Sequence, residues 1–115
     1  MNLEQFYANV GGSYPEVKKH LMNDSMILRF LMKFPEDKSF STLGSSLADG
    51  NTEEAFRAAH TLKGLCLNLG FNDLYTPSAE LTELLRAGKT DGADELFEKV
   101  KEKYGTVLDG IKKLN

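Results

Sequence analysis

From Ala93 to Leu114 the apolar side chains Ala93, Leu96, Phe97, Val100, Tyr104, Val107, Leu108, Ile111 and Leu114 recur every three or four residues. That period marks one face of an α-helix and fits no strand, whose side chains alternate. The spacing predicts a helix from Asp91 to about Lys113 with one core-facing stripe. Such a helix is stable only when other apolar surfaces cover the stripe, so the rest of the chain has to supply them.

It supplies them as further helices. Gly11-Gly12, Pro35, Asp49-Gly50, Gly70 and the stretch from Gly88 to Gly92 fall between segments of similar spacing, as turn residues do. A short helix is expected over Leu3 to Val10, and a second over Tyr14 to Met22 with Ser13 as N-cap. A third runs from Asp24 to Phe34 with Ile27, Leu28, Leu31 and Phe34 on one face. Pro35 either kinks a longer helix or begins a new one, and Phe40, Leu43 and Leu47 continue the stripe. Asn51 or Thr52 caps a central helix that Gly70 stops, with Glu53 and Glu54 near its positive end. Asn72 or Asp73 opens the next, in which Leu74, Leu81, Leu84 and Leu85 face the core, Pro77 bends the first half and Gly88 ends the helix.

Short connections favour antiparallel neighbours, so the expected fold is all-α: an up-down-up-down four-helix bundle with short extra N-terminal helices over one end. With 115 residues, 41% of them hydrophobic, one core can form but hardly two, and residues 1–115 are read as a single domain. No apolar run reaches the roughly 20 residues of a membrane helix, and the opening MNLEQFYANV lacks the basic and apolar regions of a signal peptide. The expected location is cytoplasmic, without membrane association. The lone Cys66 has no disulfide or thiolate partner in the chain and is read as a space-filling residue. A net charge of −3, with Lys99, Lys101 and Lys103 interleaved with Glu98 and Glu102, argues against nucleic acid as a partner.

On a wheel of about 100° per residue, Ala55, Ala58, Ala59, Leu62, Leu65, Cys66 and Leu69 fall on one half of the central helix. His60 falls opposite, with Glu53, Phe56, Arg57, Lys63, Gly64 and Leu67 within roughly 60° of it. A lone histidine is more often packed or merely solvated than reactive. Here an ammonium three residues on and a bare patch of backbone four residues on share its surface. Gly64 costs about 1 kcal/mol relative to alanine inside a helix, and the wheel turns it outward, so clearance for an approaching molecule explains it better than helix packing. Phe56 and Leu67 flank His60 as apolar residues that no core requires, which fits a docking surface. Neighbouring helices covering them is the plainer alternative. His20 has no acid or cysteine spacing around it that would make a metal site.

The run HTLKGLCLNLG, from His60 to Gly70, resembles the signature of the histidine phosphotransfer (HPt) domain family in its histidine, Lys63, Gly64, Asn68 and Gly70. The resemblance implies that His60 accepts a phosphoryl group, that Lys63 stabilises its oxygens and that Gly64 keeps the approach open. Phe56, Arg57 and Leu67 would then belong to the partner-docking face, with Arg57 a second candidate cation. The implied partners are response-regulator receiver domains, with a hybrid histidine kinase a further candidate. The protein itself would be a monomer and a phosphoryl carrier rather than an enzyme. It would need no cofactor, since Mg2+ belongs to the receiver's acidic pocket, and the chain carries neither a P-loop nor a glycine-rich ATP box. The family usually has small residues after the glycine, whereas this chain has Leu65, Cys66 and Leu67. Leu67 narrows the space around His60 and bears on which receivers can dock. The competing reading is a non-catalytic helical adaptor that binds a receiver or kinase. A metal-binding bundle would need a Glu-x-x-His motif, which the chain lacks.

Overall fold

Side chains that accept hydrogen bonds from free backbone N–H groups fix where the first helices begin. In the computed structural model, which describes residues 1–114, Asn2 caps α1 (Leu3–Asn9) in a reciprocal box with Gln5. Ser13 caps α2 (Tyr14–Leu21) and Asn23 caps α3 (Asp24–Lys33). Met22, expected inside the second helix, instead turns out of it at φ 71°, a left-handed conformation, and projects into solvent. Pro35 separates two helices rather than kinking one. The 3-10 turn Phe34–Glu36 contains it, and α4 (Ser39–Ala48) starts afresh.

Asn51 caps α5 (Thr52–Leu69) by accepting from the Glu54 N–H at 3.1 Å, and Gly70 ends it at φ 74°. A Cβ on Gly70 would lie 3.1 Å from the Ser13 carbonyl oxygen and 3.3 Å from Val17 Cβ, so close packing as well as the left-handed conformation favours glycine there. Next comes α6 (Asn72–Arg86), which continues through the buried Pro77. The last helix, α7 (Ala93–Lys112), starts two residues later than its spacing suggested. Gly92 stands before it at φ 88° and contributes no side-chain cap.

These helices form an all-α bundle. α5 packs between α4 and α6, and α7 packs on α6. An aromatic stack joins α7 to α4: Phe40 lies 5.4 Å from Phe97 and 4.1 Å from Tyr104, with planes 16° and 9° apart. Gly44 faces Phe97 as well, and Phe34 meets Tyr104. Going up α4 therefore means going down α7. The small residues Ala55, Ala58 and Ala59, all buried, line the inner side of α5 and let its neighbours approach. The expected stripe of α7 is buried at Ala93, Val100, Val107 and Ile111, and half-buried at Leu96, Phe97, Tyr104, Leu108 and Leu114.

The N-terminal helices cover the end of the bundle where α5 turns into α6. Phe71 is fully buried against Phe6, Tyr7 and Phe34. The Tyr7 hydroxyl donates to the Leu69 carbonyl at 2.7 Å, the Ser13 N–H to the Gly70 carbonyl at 3.1 Å, and the Asp73 N–H to the Gly11 carbonyl at 3.0 Å. Each bond satisfies a free polar group at or beside a helix end, and the Tyr7–Leu69 bond is buried.

Burial pushes the Tyr7 hydroxyl above its ordinary pKa of 10. Its neutral form therefore contributes stability in full below pH 10 and loses it as pH rises beyond. Tyr7→Phe leaves the Leu69 carbonyl without this donor and is expected to cost about 1–2 kcal/mol at pH 7, read from urea midpoints. Above pH 10 the wild type should lose stability faster than the variant, so the gap between them narrows. Parallel pH curves for the two proteins would contradict this.

Candidate functional site

The alanine side of α5 faces the core, which leaves the opposite side of the same helix to solvent. His60 and Arg57 are exposed there, Lys63 and Gly64 are intermediate, and Leu67 is 60% exposed. The structure thus brings together on one surface the residues that the wheel placed there. Leu65, expected on the inner side, is only half-buried. It lines an apolar groove of about 410 Å³ between α2, α3 and α5, with His20 and Lys33 also on its walls.

Gly64 differs from the glycines that helix packing explains. A Cβ on Gly44 would meet the Phe97 ring at 3.1 Å, and one on Gly110 the Phe6 ring at 2.9 Å, whereas one on Gly64 would meet nothing within 4 Å. No neighbouring helix requires a glycine at this position. Its effect is to leave the backbone bare one turn from the His60 ring.

Three cations stand around this surface in different states. Lys63 lies one turn beyond His60 and pairs with no carboxylate among the described residues. Arg57 is held by two: Nη2 is 2.6 Å from Glu53 Oε1, and Nη1 is 3.1 Å from Glu54 Oε2. Both bridges are exposed and individually weak, but together they draw the guanidinium toward the start of α5. Arg86, at the end of α6, was not foreseen. Its guanidinium carbon lies 5.0 Å from the centre of the Phe56 ring, and its Nε bonds both carboxylate oxygens of Glu83 at 3.2 Å. A cation on another helix leaves no trace in the periodicity of α5.

The two apolar flanks divide in the same way. Phe56 is half-buried, with Arg86 over its ring, so α6 covers it. Leu67 is covered by nothing comparable. The Phe56 ring also stacks on His60, with centroids 5.9 Å apart and planes within 19°.

Cys66 lies on the opposite, buried side, where burial pushes its thiol up to about 12. At neutral pH it is a thiol rather than a reactive thiolate. Ser78, which faces the same interior, is buried with its hydroxyl unpartnered among the described residues. No group of three or more His, Cys, Asp or Glu side chains able to hold a metal ion occurs among the described residues, and no helix there is long and apolar enough to cross a membrane.

Comparison with curated proteins and with solved structures gave no match. Comparison with family models gave one, the Hpt domain, over residues 25–110. That span takes in α3 through most of α7 and the whole surface around His60. Most of the chain is matched, and the chain belongs to the Hpt domain family, whose members carry phosphoryl groups on histidine in phosphorelays.

Proposed function

We propose that the protein is a phosphorelay intermediate in which His60 receives a phosphoryl group from the aspartyl phosphate of a receiver domain and passes it to a second receiver. The observation that carries this reading is an exposed imidazole beside a helix glycine with open space where its Cβ would be. A histidine that only decorates a surface has no use for the neighbouring gap. A nucleophile that must meet an atom buried in another protein's active site does.

In the transfer step a ring nitrogen of neutral His60 attacks phosphorus, and the bond from phosphorus to the donor carboxylate oxygen breaks. The aspartate leaves as a carboxylate, and the imidazole becomes a phosphoramidate after losing its remaining ring proton to solvent. The return step reverses these bonds on the second receiver. Charge on the transferred group is spread over its equatorial oxygens, and the Lys63 ammonium, one turn from His60 on α5, is the cation we assign to them. Magnesium would be held by the receiver's carboxylates in this scheme. Hpt domains work with receivers and histidine kinases in such relays, so a hybrid kinase is a further candidate partner, and a cytoplasmic monomer is the form we expect.

A receiver domain charged by a small phosphodonor is expected to transfer acid-labile, base-stable phosphate to this protein, and mapping should place it on His60. His60→Ala should fold normally and take no label. If no receiver in a broad panel labels the folded wild type, the protein is instead an adaptor that docks receivers without chemistry.

Lys63→Ala should slow transfer by about tenfold or more at unchanged receiver affinity, the size of one charge-assisted hydrogen bond. An unchanged transfer rate removes Lys63 from the mechanism.

Gly64 should separate stability from function. Gly64→Ala fills open space on a helix and is expected to raise stability by about 0.5–1 kcal/mol. Gly64→Leu should cut transfer by about tenfold or more by obstructing the receiver. A Leu variant as active as wild type would show that the gap is not needed.

A further inference from the structure

Phe56 carries more than an apolar surface. Its ring is nearly parallel to the His60 imidazole, at 19° and 5.9 Å, and is itself met by the Arg86 guanidinium at 5.0 Å. Arg86 is in turn held through Nε by both oxygens of Glu83, one turn earlier on α6. A chain of contacts therefore runs from a carboxylate on α6 through a cation and a benzene ring to the imidazole on α5.

An exposed histidine is free to sample several side-chain torsions, and the Phe56 ring is the aromatic partner stacked on this one. Aromatic stacking and a cation over an aromatic ring are each modest and directional. Their combination limits the planes that the imidazole can adopt without burying its nitrogens.

We propose that Phe56 is the positioning residue of the His60 site, setting the plane of the imidazole for in-line attack, and that Arg86 braces Phe56 from α6. The proposal rests on the phosphotransfer reading above. Orientation of a nucleophile is worth rate because it removes the entropy of finding the attack geometry. A docking role for Phe56 predicts something different, a weaker complex with an unaltered rate once the complex has formed. The two are separable because a small phosphodonor such as phosphoramidate reaches His60 without docking.

The test compares Phe56→Leu, Phe56→Tyr and Arg86→Gln with the wild type, each first checked for folding by circular dichroism. Phe56→Leu is expected to slow phosphorylation by about three- to tenfold, both at saturating charged receiver and with phosphoramidate, while receiver KM stays within about twofold. Phe56→Tyr keeps a ring and should restore the rate. Arg86→Gln, an exposed change that leaves the fold alone, should give a smaller loss in the same direction. Independently of any phosphodonor, nuclear Overhauser contacts between the Phe56 and His60 ring protons should be present in the wild type and the Tyr variant.

A raised KM with an unchanged saturated rate in Phe56→Leu would make Phe56 a docking residue and overturn the proposal. Wild-type transfer with Phe56→Leu rates unchanged for both donors, or absent ring contacts in the wild type, would overturn it as well while leaving the phosphotransfer reading intact. No transfer to the wild type would overturn both.

Discussion

The burial of Phe71 is the contact on which the rest of the arrangement turns. The residue follows Gly70, where the chain leaves α5 in a left-handed conformation, and it is sealed among Phe6, Tyr7 and Phe34. Those partners come from α1 and from the turn before α4. One side chain therefore ties the end of the central helix, the start of α6 and the N-terminal segment into a single cluster. The aromatic series continues through Tyr104 and Phe40 to Phe97, so the closure of α7 on α4 is continuous with it. Fixing the end of α5 in this way fixes the rotation of α5 about its axis, and that rotation decides which side chains meet water.

The helix then has two faces with separate duties. Alanines at 55, 58 and 59 permit close neighbours, while Leu62, Cys66 and Leu69 fill the space between them. Opposite, His60, Lys63, Gly64 and Leu67 contribute little to the core. The cost of a helix glycine and of a 60% exposed leucine falls on the face that packing does not use. Membership of the Hpt domain family fits this division, since its chemistry is done between proteins rather than inside one.

How much of this could be read from the sequence depended on how local the cause was. The central helix was legible because the alanine and leucine spacing that marks its inner face lies within it, and its Asn51 cap and Gly70 stop act within one turn. Met22 and Gly92 moved helix ends by a residue or two, since backbone dihedrals at the ends are set by what the next element packs against. The Phe6–Tyr7–Phe71 cluster left no periodic signature. Tyr7 and Leu69, joined by a hydrogen bond, are 62 residues apart in the chain. Arg86 was invisible for the same reason, because its place over Phe56 follows from how α6 lies against α5. Spacing also placed Arg57 beside His60 but could not reveal that Glu53 and Glu54 had already claimed its guanidinium.

The open space beside Gly64 carries a consequence for how such a molecule can signal. A Cβ there would meet nothing within 4 Å and the imidazole one turn away is exposed, so another molecule coming over this patch displaces no packed neighbour of Gly64. The shape of this surface therefore selects among visitors, because whatever meets the imidazole from this side has to fit the bare stretch of backbone beside it.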